Sequence, residues 1–218
     1  LTTASLSLRL AMIAPRLKAA TIGWQHNCYD GYLHVKPVVF WQQENLLQQY
    51  LPNLDRYIVL SDYDKRDYME KLGIDCEVKI NPRSFVSEKK CDVKSKRFLM
   101  ATRFVYAKGL DLMMESFEEF CKEDSEWELD IIGDGDLFDQ IRADAKKRHL
   151  EKRVHFVGYT NEPEKYYLNS SVFLLPSRWE GWPMVIMEAF EFGLPVIAYH
   201  MGAMDLIIDD GKTGFLPE

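Results

Sequence analysis

Residues 171–199, SVFLLPSRWEGWPMVIMEAFEFGLPVIAY, contain the pattern that decides the fold. An apolar run at 171–177 is followed by a helical pattern that begins near Pro183 and ends at Gly193, and a second apolar run occupies 195–199. Short, continuously apolar runs are typical of parallel strands that are buried on both faces. The stretch therefore predicts a strand, a helix and a second, parallel strand.

The same alternation extends upstream through the second half of the chain. Apolar runs predict strands at 97–103, 127–133 and 154–158, and helical patterns follow them at 108–122, 136–150 and 162–170. Such alternation predicts an α/β fold with a doubly wound, Rossmann-like parallel sheet. Because these sheets bind ligands beyond the carboxyl ends of their strands, functional residues are expected just after each strand.

The first part of the chain has the pattern of a separate α/β unit. It contains predicted strands at 21–24, 56–61 and 78–81, a helix at 38–51, and a helix from Ser61 or Asp62 to Gly73. A polar, charged stretch with a proline then separates the two patterns. The predicted domains are 1–83 and 97–218, joined by a linker at 84–96. Because the chain begins with Leu1 rather than Met and its last residues, TGFLPE, have the pattern of a strand that should continue, we expect a segment of a longer protein.

Composition argues against several classes of protein. The 218 residues carry a formal net charge of −7, whereas nucleic-acid binders need a basic face. No apolar run approaches the roughly 20 residues that cross a bilayer. The four cysteines form no C-x-x-C pair, which argues against a disulfide framework or a zinc site and favours the cytoplasm.

The N-terminal segment is basic, with Arg9, Arg16 and Lys18 before the first acidic residue, Asp30. The favoured interpretation is a surface helix with apolar residues at helical spacing, namely Leu6, Leu10, Ile13 and Leu17. A helix lying on the inner face of an anionic membrane is the second interpretation. A transit peptide is the third.

Two cations follow the first strand of the second domain. Arg103 and Lys108 lie at a strand end and next to a helix N-terminus, which predicts an anion site, with an ordinary solvated loop as the alternative. After the next strand, IIGDGDLF nearly matches a dinucleotide fingerprint, but Phe138 occupies the third glycine position. Asp134 and Asp136 resemble a metal-binding pair. A tight glycine turn without metal is the favoured interpretation.

Glu180 and Glu188 flank the predicted start of the helix at Pro183. Two carboxylates on either side of free helix N–H groups can bracket a ligand that has hydroxyls at both ends and a diphosphate between them. A nucleotide-sugar has this layout. The alternative is a solvent-facing Glu188 that pairs with a lysine.

Together with EAFEFGLPVIA, ATRFVYAKGLD, LDIIGDGD, VHFVGYT and LLPSRWEGWP, these glutamates resemble the signature of the retaining family 4 glycosyltransferases. The resemblance implies the GT-B fold, with two Rossmann-like domains. Residues 1–83 would be the C-terminal part of the acceptor-side domain. Residues 97–218 would form the donor domain without its terminal helices.

The resemblance also implies residue roles. Arg103 and Lys108 would neutralise the departing nucleoside diphosphate, so that neither metal nor cofactor is expected. Glu180, with the N–H groups of Gly181 and Trp182, would hold the donor sugar.

Further roles concern the nucleoside and the acceptor. Glu188 would bind the ribose, and Gly158 and Tyr159 would line the base pocket. Asp205, which stands where the family often has Glu, would orient the diphosphate. His26 matches a histidine that faces the reacting centre, with a loop histidine as the alternative.

The implied reaction transfers a hexose from a nucleotide-sugar, a UDP-sugar by preference, to a saccharide or lipid-linked acceptor with retention of configuration. It would serve the synthesis of cell-surface polysaccharide or of a glycoconjugate. The alternatives are a non-catalytic nucleotide-sugar-binding module and, less favoured, a related epimerase or phosphorylase.

Overall fold

The computed structural model describes residues 2–3, 6–34 and 42–217. Two compact units make up the chain. The first comprises Leu1–Pro82 with Trp179–Trp182, and the second comprises Arg83–Arg178 with Pro183–Glu218.

The first unit has a parallel sheet with helices between its strands. In the described residues its strands are ordered β1-β2-β3-β4, at Thr2–Thr3, Ile22–Trp24, Arg56–Val59 and Glu77–Val78. Its helices are α1 (Leu6–Ile13), α2 (Tyr29–Leu33), α3 (Glu44–Tyr50) and α4 (Asp62–Leu72). The helix predicted at 38–51 is found from Glu44, and residues 38–41 lie outside the described residues.

Helix α4 has the boundaries that its capping residues predict. The Ser61 hydroxyl accepts a hydrogen bond from the Asp64 N–H at 3.1 Å, as an N-cap does. Gly73 ends the helix in the left-handed region, with φ at 69°.

None of the four apolar residues at helical spacing in the N-terminal segment is fully buried. Helix α1 buries Ser7, Leu8 and Ala11, whereas Leu6 and Ile13 are 50% and 49% exposed. Leu17 lies beyond the helix and is also exposed. Helix α1 lies close to β2 at Ser7, because a Cβ on Gly23 of β2 would lie only 3.0 Å from the Cβ of Ser7. Within the described ranges, no helix is long and apolar enough to span a bilayer.

The second unit is a doubly wound parallel sheet. Among the described residues its strands are ordered β10-β9-β8-β5-β6-β7. In chain order they are β5 (Arg97–Ala101), β6 (Glu128–Ile132), β7 (Val154–Gly158), β8 (Val172–Leu175), β9 (Val196–Ala198) and β10 (Gly214–Phe215). The helices are α5 (Leu110–Glu123), α6 (Phe138–Lys147), α7 (Glu164–Leu168) and α8 (Met184–Glu191). The predicted α/β class with parallel sheets is confirmed.

Strand order reverses between β5 and β8, which pair directly through Leu99 and Phe173. Helix α5 covers one face, where Met114 and Phe117 are buried. Helix α8 covers the other, where Ile186 and Ala189 are buried. The crevice at such a reversal is where doubly wound sheets bind ligands.

The segment that the sequence predicts as a linker lies against the second unit. The Arg83 guanidinium contacts Glu191 at 2.7 Å, the Phe85 ring packs on Phe192, and the Cys91 N–H donates to the Phe192 carbonyl at 2.8 Å. The end of α8 is therefore fixed to residues 83–91.

Candidate functional site

The loops that follow β5 and β8 are packed together at the strand-order reversal. Gly109 has φ at 63°, and a Cβ there would lie 1.9 Å from the Pro176 carbonyl oxygen. The Arg178 N–H donates to the Ala107 carbonyl at 2.8 Å. Only glycine allows this approach, so the sequence K-G at the start of α5 sets the spacing of the two loops.

A second contact between these loops is an ion pair that sequence reasoning missed. The Arg178 guanidinium donates to both carboxylate oxygens of Asp111, at 2.8 and 2.6 Å, and to the Tyr106 carbonyl at 2.9 Å. It also lies 4.0 Å from the centre of the Tyr106 ring. Hydrogen bonds from Arg178 lower the pKa of Asp111. We call this arrangement the Arg178 latch.

Arg103 and Lys108 both lie on the loop that the Arg178 latch holds. Arg103 is exposed just after β5, and Lys108 is half-buried in the 3-10 turn Tyr106–Lys108. The structure thus brings the two predicted cations to the carboxyl end of β5, beside the N-terminus of α5. An anion bound there would be stabilised by both cations and by the positive end of the α5 dipole.

The GDG turn after β6 is a close backbone contact. A Cβ on Gly133 would lie 1.8 Å from the Thr102 carbonyl oxygen, and one on Gly135 would lie 2.8 Å from the Phe104 nitrogen. The Phe104 N–H donates to the Asp134 carbonyl at 2.9 Å. The glycines therefore serve the packing of the turn against the loop after β5.

Glu188 lies in the second turn of α8 and is half-buried. Its Oε2 accepts a hydrogen bond from the Tyr167 hydroxyl at 3.0 Å, and its Oε1 accepts one from the Ser84 hydroxyl at 3.3 Å. Among the described residues, no lysine lies within ion-pair distance of Glu188, contrary to the alternative interpretation. Neither hydroxyl has a local sequence signal.

Three further predicted residues lie at strand ends of the second unit. Gly158 ends β7 with φ at 78°, and no atom lies within 4 Å of a Cβ placed on it. Tyr159 follows and is 77% exposed. Asp205 lies in a 3-10 turn after β9 and is exposed.

The remaining predicted residues group with the first unit. His26 follows β2, its ring stacks on Trp24 at 5.5 Å, and partial burial lowers its pKa. Gly181 packs against Asn27, the residue after His26, because a Cβ on Gly181 would lie 2.8 Å from the Asn27 Cα. Glu180 and Trp182 flank that glycine, and the Trp182 indole nitrogen is buried without a hydrogen-bond partner.

Metal ligands do not converge in the part of the chain that the structure describes, where no three His, Cys, Asp or Glu side chains form a candidate metal site. Within the second unit, the predicted cations Arg103 and Lys108 follow β5, and Glu188 lies on the helix that follows β8.

Comparison with known proteins identifies relatives of the chain. The family model described as "Glycosyl transferases group 1" matches residues 84–218. An uncharacterized glycosyltransferase of Haemophilus influenzae is 29% identical over 167 residues, which cover 75% of this chain and 47% of that protein. The amylovoran biosynthesis glycosyltransferase AmsD of Erwinia amylovora is 34% identical over 120 residues, or 54% of this chain and 34% of that one.

A solved structure shows the same fold. TarM of S. aureus, crystallised as a mutant with Fondaparinux, alpha-GlcNAc-glycerol and UDP, superposes with a TM-score of 0.81 at 24% identity. The match covers 92% of this chain and 41% of TarM. The predicted GT-B fold class is confirmed. The chain spans less than half the length of each of these three proteins.

Proposed function

We propose, from the premise that this chain belongs to the glycosyl transferases group 1 family, that its second unit binds the nucleoside diphosphate of a sugar donor. The full reaction would transfer a hexose from a UDP-sugar to a saccharide or lipid-linked acceptor with retention of configuration. Its place would be the synthesis of cell-surface polysaccharide. The role of AmsD in amylovoran biosynthesis and the UDP bound to TarM support the acceptor class and the donor.

The observation that carries the proposal is the placement of Arg103, Lys108 and Glu188 after β5 and β8, the two strands at which the order reverses. Cations on one loop suit the diphosphate, and a carboxylate on the following helix suits the ribose hydroxyls. Gly158 and Tyr159, at the end of β7, would contact the base. Asp205 would orient the diphosphate.

The residues of the first unit are assigned to the sugar and the acceptor. Glu180 would accept hydrogen bonds from the transferred hexose, and the N–H groups of Gly181 and Trp182 would donate to it. His26 would face the acceptor hydroxyl. Its lowered pKa keeps the imidazole neutral near pH 7, in the form that can accept a hydrogen bond from that hydroxyl.

The proposed transfer is a same-face substitution at the anomeric carbon. The acceptor oxygen forms a bond to the anomeric carbon while the bond between that carbon and the diphosphate oxygen breaks. The proton of the acceptor hydroxyl passes to the leaving phosphate. Arg103 and Lys108 stabilise the charge that develops on the diphosphate. Because these side chains supply that charge, we propose that no metal is needed, and EDTA should leave turnover unchanged.

Calorimetric titration with UDP tests the donor assignment. Glu188→Ala should weaken UDP binding about tenfold or more, because hydrogen bonds to a charged group contribute about 1.5–3 kcal/mol. Glu123→Ala, an exposed glutamate at the far end of α5, is the matched control and should bind UDP like the wild type. Equal affinity of the wild type and Glu188→Ala would contradict the ribose role.

Release of UDP from a panel of UDP-sugars separates catalysis from binding alone. Turnover with one sugar supports the transferase. Tight UDP binding without turnover, with or without acceptor saccharides, would instead indicate a non-catalytic nucleotide-sugar-binding module.

We also propose that α1 contacts an anionic membrane surface. Leu6, Ile13 and Leu17 are exposed beside the exposed cations Arg9 and Arg16. Apolar side chains interleaved with cations match a lipid surface with anionic headgroups. The chain as a whole has a net charge of −7, so the positive charge beside these apolar side chains is a local feature.

Vesicle sedimentation tests this contact. The wild type should bind phosphatidylglycerol vesicles better than phosphatidylcholine vesicles, and Ile13→Ser with Leu17→Ser should reduce that binding. Val86→Ser with Val93→Ser removes apolar side chains of the second unit that are 71% and 58% exposed, and serves as the control. Equal losses in both double variants would contradict a specific contact through α1.

A further inference from the structure

The Glu188 carboxylate is held at both of its oxygens by hydroxyl groups. Tyr167, in α7, donates to Oε2 at 3.0 Å, and Ser84, before β5, donates to Oε1 at 3.3 Å. The two donors come from distant parts of the sequence, 21 and 104 residues away from Glu188. With both oxygens anchored, rotation of the carboxylate plane is restricted.

Tyr167 itself is rigidly placed. Its side chain is 1% exposed and lies between the rings of Phe173 in β8, at 5.8 Å and 9°, and Phe192 after α8, at 5.2 Å and 20°. Burial, followed by the neighbouring Glu188 charge, raises the pKa of the Tyr167 phenol. The hydroxyl therefore remains protonated and acts as a donor at every working pH.

The identity of the donors leaves Glu188 able to bind more. A carboxylate offers about four lone-pair positions, and the two hydroxyls use two of them. Neither donor is a cation, so the negative charge of Glu188 is not neutralised by them. A half-buried carboxylate in this state is costly unless further hydrogen bonds reach it.

We propose that Tyr167 is a positioning residue that orients Glu188 to accept two hydrogen bonds from a vicinal diol, such as the 2′- and 3′-hydroxyls of a ribose. Ser84 fixes the other oxygen and has the smaller effect, because its hydrogen bond is longer. This inference rests on the proposed donor-binding function of Glu188. It adds that the preference for a ribonucleoside depends on a phenol that does not touch the ligand.

The test compares UDP with 2′-deoxy-UDP by calorimetric titration of the wild type and Tyr167→Phe. The wild type should prefer UDP about tenfold, equivalent to about 1.4 kcal/mol. Tyr167→Phe keeps the ring between Phe173 and Phe192 and loses only the hydroxyl. It should reduce the preference to about threefold or less, because the affinity for UDP falls more than that for 2′-deoxy-UDP, which keeps only the 3′-hydroxyl.

Tyr166→Phe is the matched control, since it removes a hydroxyl from the neighbouring residue of the same helix. It should retain the tenfold preference. Ser84→Ala leaves the buried aromatic stack intact and should lose part of the preference for UDP over 2′-deoxy-UDP. It tests the inference if Tyr167→Phe does not fold.

The outcomes separate the inference from the function on which it rests. A tenfold preference that survives in both Tyr167→Phe and Ser84→Ala overturns the inference. An equal loss of affinity for both nucleotides also overturns it, because that result indicates a general structural role. A wild type that binds UDP and 2′-deoxy-UDP equally refutes the ribose role of Glu188 itself.

Discussion

The two ends of the second sheet treat charge in opposite ways. At the amino end, the Arg97 guanidinium contacts Asp130 at 2.9 Å and Glu128 at 2.5 Å, and His155 contacts Glu128 at 2.7 Å. At the carboxyl end, Arg103 has no ion-pair partner among the described residues, and Glu188 accepts hydrogen bonds from hydroxyls. From this contrast we expect the amino-end network to stabilise the fold and the carboxyl end, where the Arg178 latch is the ion pair between the loops, to bind a ligand.

The largest expected effect is loss of turnover at the carboxyl end. Arg103→Ala should lower the rate of UDP release from the UDP-sugar substrate about 10²–10³-fold, because a preorganised cation that meets developing charge contributes that much. The free energy of unfolding should change little, since no protein partner is lost. Arg142→Ala, an exposed arginine on α6, should keep the wild-type rate.

Two results would break the comparison for Arg103. Urea unfolding that shows a marked loss of stability in Arg103→Ala would place that side chain in the structural network. Turnover unchanged by the substitution would remove its proposed role in charge stabilisation.

Local sequence patterns predicted most elements but not the contacts that fix the site. Apolar runs predicted β5 to β9, and Ser61 and Gly73 predicted the ends of α4, because these signals are local. The Arg178–Asp111 pair joins residues 67 positions apart. That contact exists because β8 lies beside β5, and periodicity carries no information about strand order.

Helix α1 shows a second limit of local patterns. The helical spacing of Leu6, Leu10, Ile13 and Leu17 predicts an amphipathic helix, whereas the residues that α1 buries are Ser7, Leu8 and Ala11, with Ser7 close to Gly23 of β2. Shape complementarity between two elements decides which face is buried, and one helix alone does not reveal it. The roles of Arg103, Glu180, Glu188 and His26 remain predictions.

The next effect is a loss of stability at the amino end. Arg97→Ala leaves Asp130, which is 6% exposed, without its cation. Because the arginine is itself partly exposed, we expect a loss of about 2 kcal/mol in the free energy of unfolding, below the range for fully buried pairs. UDP affinity should be unchanged.

A companion variant checks the cause of that loss. Arg97→Met with Asp130→Leu removes both charges and should recover most of the lost stability in urea unfolding. If Arg97→Ala instead weakens UDP binding, the two ends of the sheet are not functionally distinct.

The Arg178 latch is an ion pair at the carboxyl end of the second sheet, where we propose that the donor binds. Arg178→Ala should slow UDP release about tenfold, because Lys108 and the loop after β8 lose their fixed spacing. Arg178→Lys should not restore the rate, since one ammonium cannot replace two parallel hydrogen bonds.

The matched control for the Arg178 latch is Arg148→Ala. Arg148 forms ion pairs with Glu118 and Asp144 at comparable exposure, but far from the strand-order reversal. Both alanine variants should lose less than about 1 kcal/mol of stability. Equal rates in the two variants would assign the Arg178 latch to stability rather than to positioning.

The smallest effect is a pH dependence of stability at the amino end. Partial burial acts to raise the pKa of Glu128, but the hydrogen bond with His155 and the charge of Arg97 outweigh it, so that the pKa lies below its usual value. A carboxylate with a lowered pKa contributes stability that is full above its unfolded pKa of about 4.3. That contribution is lost as the pH falls through the folded pKa. Glu128→Gln should therefore be less stable than the wild type at pH 6, and the difference should shrink below about pH 4. A difference that stays constant between pH 6 and pH 3 would mean that the charge of Glu128 does not support the network, and the amino end would then owe its stability to packing alone.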